Sequence, residues 1–236
     1  MSIRKPIRNY LSRKLGVPEI PTALERLNEI GFIPNQIFDV GAYQGDFANL
    51  CLNIWSETKV ACFEALEPKV EQLNLLASRE KSITVFPTLL GAKSQNNVPL
   101  NLAETASSVL NEQVEQSFSV QICQMRTIDE VVAEDFYGVA PDFLKIDVQG
   151  YELEVLKGAE KTLPQIQVIL AEINFLDIHQ NVPLLADIVT WLNERNWVAY
   201  DICALTRRPL DKALWQADFI FVPENSPLRN NKRWNS

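Results

Sequence analysis

With 236 residues, 47% of them apolar, the chain is long enough to close a full hydrophobic core within one domain. A formal charge of -8 excludes a broad electrostatic footprint for nucleic acid over the body of the protein. No apolar run approaches the ~20 residues that cross a bilayer, and the start of the chain lacks the apolar middle of a secretory signal, so a cytoplasmic location is expected.

Residues 1 to 14 carry Arg4, Lys5, Arg8, Arg13 and Lys14 and no acid. Two readings stand for this basic start: a solvated or docking helix, or a peripheral contact with an anionic membrane or partner. In PTALERLNEI, Leu24, Leu27 and Ile30 share one helical face and Gly31 follows as a cap, which predicts a covering helix. The four cysteines, Cys51, Cys62, Cys123 and Cys203, are scattered through apolar stretches without a CxxC or Cys/His cluster, and are read as reduced core residues.

From Gln36 onward short apolar runs alternate with helical windows, the pattern of repeated βα units around a mostly parallel sheet. Strands are predicted at 37–40, 60–64, 83–87, 143–148, 168–174, 197–202 and 218–222, which makes seven, with helices at 46–54, 68–79, 151–162 and 184–195. The stretch 92–120 is polar and read as irregular; Ser107 and Ser108 within it belong either to a lid over the site or to an ordinary surface loop. Pro209 breaks 206–217, so the last two strands are predicted to form an antiparallel, hairpin-like end to the sheet.

In an open α/β sheet, ligands bind beyond the carboxyl ends of the strands. The first strand runs into IFDVGAYQGDF, where Asp39, Gly41 and Gly45 form a D-x-G-x-x-x-G turn. A dinucleotide turn places a second glycine where this chain has Tyr43, which would crowd a pyrophosphate. S-adenosyl-L-methionine (SAM) carries no phosphate, so this turn can serve it. About 20 residues on, the second strand ends in Phe63 and Glu64, the place where an acid accepts hydrogen bonds from ribose hydroxyls. Glu67 is a rival for that role, and Phe63 or Leu66 is placed to pack on a base or simply in the core.

The fourth predicted strand opens FLKIDVQGYELEVLKGAEKTL, which resembles the signature of the FkbM-like family of SAM-dependent methyltransferases. FDVGAYQGDF is similar to that family's first motif and DFIFVPENSPL to its C-terminal strand, so the resemblance runs over residues 36–228. It implies a class I methyltransferase fold: a Rossmann-like, seven-stranded, mostly parallel sheet with helices on both faces and the last strand antiparallel. Residues 36–236 then form the methyltransferase domain, behind a basic segment and covering helix at 1–35. The resemblance further implies SAM as cofactor, held by Asp39, Gly41, Ala42 and Gly45 of the turn, by Phe63 and Glu64, and by Asp147 and Val148 beside the transferred methyl. Where the family commonly has glutamate before the glycine of this motif, the chain has Gln149, a departure that removes a negative charge.

Methyl transfer to a hydroxyl also needs somewhere for the acceptor proton to go. Lys145, Asp147, Glu172, Asn174 and His179 fall at or beyond the ends of the two central strands. His179 is the only histidine, with an ordinary pKa of about 6.5 suited to a base at neutral pH. Lys145 is either a stem buried beside a carboxylate or a snorkelling surface lysine; Glu172, inside an apolar strand, is read as paired or functional. Metal-free transfer assisted by Asp147 or His179 is expected, with Mg²⁺ on Asp147, Glu172 and Asn174 as the alternative.

The expected function is therefore SAM-dependent O-methylation of a sugar or small secondary metabolite, with that small molecule or glycan as partner and no nucleic acid. Two rivals are a non-catalytic SAM-binding or scaffold protein on the same fold and, disfavoured by Tyr43, a nucleotide-dependent oxidoreductase.

Overall fold

A computed structural model describes residues 15–102, 107–111 and 119–234. The basic residues Arg4 to Lys14 and two parts of the 92–120 stretch, 103–106 and 112–118, lie outside the described residues. Among the described residues, no helix is long and apolar enough to cross a membrane.

The elements follow the expected alternation: α1 (Ile20–Glu29), β1 (Gln36–Val40), α2 (Asp46–Ile54), β2 (Lys59–Phe63), α3 (Glu67–Arg79), β3 (Ile83–Phe86), β4 (Leu89–Leu90), β5 (Gln95–Leu102), β6 (Ser119–Arg126), α4 (Ile128–Asp135), β7 (Phe143–Ile146), α5 (Glu152–Lys157), β8 (Val168–Asn174), α6 (Leu185–Asn193), β9 (Trp197–Arg207) and β10 (Leu214–Pro223). The main sheet has seven strands in the order β3-β2-β1-β7-β8-β10-β9. All pair in parallel except β10, which runs antiparallel between β8 and β9. The seven strands, the antiparallel final strand and the closing hairpin are as the sequence predicts.

Strand alternation sorts the core into two layers. Ile37, Phe143 and Val168 face α1, α2 and α3, whose Leu24, Leu27, Cys51 and Leu73 are buried there. Phe38, Leu144 and Ile169 face the other side, against Ile128, Val155, Leu156, Ile188 and Leu192 of α4, α5 and α6. Ile30 departs from the predicted apolar face: it ends α1 and is 54% exposed. The four cysteines are free and buried.

Three corrections concern local elements. The predicted irregular stretch 92–120 contains β5, which joins β6 and β4 in a second sheet of order β4-β6-β5. The apolar residues of QNNVPLNL alternate, burying Val98 and Leu100, and Pro99 is tolerated because β5 is an edge strand. Helix α4 was not predicted, although Thr127 and Glu130 form a capping box at its start, a T-x-x-E signature readable in the chain. The predicted helix 151–162 is shorter: α5 ends at Lys157 and Gly158 caps it at a close approach, where a Cβ would meet the Gly91 carbonyl oxygen at 2.1 Å.

Candidate active site

The order of strands reverses between β1 and β7, which opens a crevice at their carboxyl ends. A cavity of about 250 Å³ occupies it, walled by Gly41, Glu64, Leu89, Asp147, Gln149 and Tyr151 among others. Leu100 and Ser107, from the second sheet and the segment after it, also line it.

The turn after β1 is held rigidly. Gly41 and Ala42 donate their amides to the Phe63 carbonyl at 3.0 and 3.1 Å, and Gly45 donates to the Ala42 carbonyl at 2.9 Å. Gly41 has φ +77°, and a Cβ there would stand 1.9 Å from the Asp147 carbonyl oxygen. Gly45 has φ +88°, and a Cβ there would press on Leu76 at 2.7 Å. Tyr43 also lies in the left-handed region at φ 49°, with the Lys69 ammonium 3.7 Å from its ring centre.

Glu64 stands at the cavity edge and binds this turn. Its Oε2 accepts the Tyr43 amide at 2.8 Å, and its Oε1 accepts the Ala65 and Leu66 amides at 2.8 and 2.9 Å. Burial raises its pKa, against the pull of those amides. Phe63 is buried at 1% exposure and stacked on Phe86 with ring centres 4.9 Å apart, so most of its ring belongs to the core although it reaches the cavity wall.

Beneath the turn, register decides the fate of Lys145. Asp39 and Lys145 are direct partners across β1 and β7, so both side chains enter the layer covered by α2. The Lys145 ammonium is 3.1 Å from Asp39 Oδ1 and 3.7 Å from Asp147 Oδ2, and donates to the Gly41 carbonyl at 2.9 Å. Burial alone would lower its pKa, but the Asp39 and Asp147 carboxylates outweigh it and hold the ammonium above the ordinary lysine value. Asp39 is fully buried and raised by that burial, with Lys145 pulling back. Of the two sequence readings for Lys145, the stem buried beside a carboxylate is the one found.

Asp147 and Glu172 meet through Gln149. The Gln149 amide nitrogen donates to Asp147 Oδ1 at 2.9 Å and to Glu172 Oε1 at 3.0 Å, while Gln216 donates to the same Glu172 oxygen at 2.6 Å. Asp147 keeps 37% of its side chain exposed, whereas Glu172 is buried. Burial, then the Asp147, Glu152 and Asp218 carboxylates, push Glu172 well above the usual carboxylate range. His179 is buried behind the backbone of Gly150 and is not among the residues walling the cavity. Asn174 is buried beside Gln216 in the sheet, its Nδ2 without a hydrogen-bond partner among the described residues. Among the described residues no group of three or more His, Cys, Asp or Glu side chains is arranged to hold a metal ion.

The structure thus brings Gly41, Phe63, Glu64, Asp147 and Val148 to one cavity and leaves Lys145, Glu172 and His179 behind its wall. Sequence reasoning missed the linking part of Gln149 and the wall residues of the second sheet; the alternation in VPLNL was the available signal for Leu100.

Glu152 makes a checkable statement about pH. It is fully buried, its Oε1 accepting the Val148 and Gly150 amides at 3.1 and 3.0 Å, and burial raises it from 4.5 to about 7. Asp218 is raised by burial from 3.8 to about 6. Both folded-state values lie above the unfolded ones, so the fold favours the neutral acids. Their contribution is complete below the unfolded values and is lost as the pH rises to about 7, levelling off above. Urea midpoints should fall across that window, and Glu152→Gln should flatten the fall.

Comparison with known proteins follows the same lines. Residues 39–198 match the family described as Methyltransferase FkbM domain. The hexuronic acid methyltransferase AglP of Haloferax volcanii is 28% identical over 142 residues, covering 58% of this chain and 55% of that protein. The crystal structure of methyltransferase FkbM from Methylobacillus flagellatus superposes with a TM-score of 0.52 at 17% identity, covering 78% of this chain and 43% of that one. A Klebsiella pneumoniae protein described provisionally as an O-methyltransferase gives a TM-score of 0.51 at 11% identity over 86% of this chain and 77% of its own. The chain spans about half the length of the first two relatives.

Proposed function

The chain belongs to the Methyltransferase FkbM domain family, and from that premise we propose that it moves a methyl group from SAM to a hydroxyl of a sugar or small metabolite. The observation that carries the cofactor is the charge of the cavity. Two carboxyl groups, Glu64 and Asp147, line it, and among the described residues no lysine or arginine does. A pyrophosphate would find no counter-charge there, whereas a ligand bearing a sulfonium and an ammonium finds the Asp147 carboxylate. The left-handed Tyr43, standing where a dinucleotide turn has glycine, points the same way.

The residues present fit SAM. Glu64 would take the ribose hydroxyls, Leu66, Leu89 and Leu90 a flat base, and Gly41 with Asp147 the amino-acid and sulfonium end, all of them residues that line the cavity. When bound, SAM supplies an electrophilic methyl group on its sulfonium. The protein's part is to hold the acceptor hydroxyl in line, which is worth about 7–11 kcal/mol in favourable cases, and to receive its proton. Asp147 suits that second task better than His179, because its partly exposed carboxylate faces the cavity. Likeness to a hexuronic acid methyltransferase supports a sugar acceptor.

Calorimetry with SAM and with NAD tests the reading. SAM should bind and NAD should not, and Glu64→Ala should weaken SAM by about tenfold or more, the cost of lost charged hydrogen bonds. Binding of NAD alone, or of neither, would overturn it.

A further inference from the structure

Resting on the cofactor reading above, we propose that Gln149 is a positioning residue that fixes the Asp147 carboxylate as the charged group facing the sulfonium. The two acids of the site are in unequal surroundings. Asp147 Oδ2 lies 3.7 Å from the Lys145 ammonium and its Oδ1 accepts the Gln149 amide at 2.9 Å. Among the described residues Glu172 makes no ion pair with a lysine or arginine, and Lys145 acts on it less than burial and the neighbouring carboxylates do; it is buried and receives two neutral amides, from Gln149 and Gln216, on one oxygen. Burial and the neighbouring acids hold Glu172 toward its neutral form, whereas Asp147 stands beside the ammonium and open to water. Gln149 joins the pair while adding no charge of its own.

Gln149 is also fixed at its backbone. Its φ is +53°, and its carbonyl accepts the Ser108 hydroxyl at 2.8 Å, tying it to the segment whose Ser107 and Val109 line the cavity. The other titratable groups around the pair are Lys145 and Asp39 from β7 and β1, Glu152 from α5, Asp218 from β10 and His179 from the loop after β8. Among the described residues, the Gln149 amide joins Asp147 to Glu172.

SAM and S-adenosylhomocysteine differ by the methyl group and the positive charge it confers, so the ratio of their affinities reads the charge at Asp147. Calorimetry with both ligands is made on the wild type, Gln149→Leu and Gln149→Met, each checked for an unchanged melting transition. The wild type should prefer SAM. Both variants should bind S-adenosylhomocysteine nearly as the wild type does, but their preference for SAM should fall severalfold. A residue that merely supports the loop would weaken both ligands together and leave their ratio in place. An unchanged ratio in the variants would overturn the proposal while leaving the cofactor reading intact; failure of both ligands to bind the wild type would overturn both.

Discussion

Gly41→Val should abolish SAM binding, with an affinity loss beyond a hundredfold in calorimetry, while the protein still folds. The Cβ would stand 1.9 Å from the Asp147 carbonyl oxygen, against backbone that has nowhere to go: Asp147 donates its own amide to the Val40 carbonyl at 3.0 Å. The substitution therefore pries the end of β1 from the end of β7, the two edges between which the cavity lies. A left-handed φ adds about 1–2 kcal/mol for any residue with a Cβ. In a chain of this size each kcal/mol lowers the melting temperature by about 2–4 °C, so the left-handed φ alone costs several degrees and the backbone clash adds to it, and binding is compared below the variant's own transition. Gly31→Ala is the control. It carries the same conformational cost at φ +94° but meets nothing within 4 Å, so stability should drop slightly and binding should not change.

The second large effect is expected at the ion pair under the turn. Lys145→Met leaves Asp39 fully buried beside no cation, and removing one partner of a buried pair costs roughly 3–5 kcal/mol. At about 2–4 °C per kcal/mol the melting temperature should fall by about 10 °C. The Gly41 carbonyl also loses its ammonium donor, so the turn should loosen and SAM affinity should fall with stability. Replacing both partners, as Asp39→Leu with Lys145→Met, should recover much of the stability, because an apolar pair of similar volume avoids the desolvation of two charges. It should not recover binding. A double variant that restored both would show that the pair serves only the core.

The parts of this molecule legible in its sequence were those set by local pattern. Apolar runs of four to seven residues marked the strands of the main sheet, and the long motif around Asp147 carried the family. Strand β4 escaped because it is two residues long and β6 because it is half polar, while in β5 the proline of QNNVPLNL, no obstacle at an edge, masked an alternation that was there to read. Lys145 was ambiguous for a different reason. Alternation gives a side chain's face but not what lies across from it, and only the β1–β7 register, with Asp39 opposite Lys145, turns a lysine in an apolar strand into a paired, buried one.

The acid pair shows the same division. That Asp147 and Glu172 end neighbouring strands was readable; that a glutamine amide spans them was not, since a side chain's reach depends on the left-handed backbone at Gln149 and the Ser108 contact that holds it. Sequence by itself determined the main sheet, the family and the glycine turn after β1, because periodicity and glycine placement act over a few residues. Tertiary structure alone decided which charges meet, since a carboxylate's role is set by burial and by partners brought from distant parts of the chain, and neither is encoded within any short stretch of it.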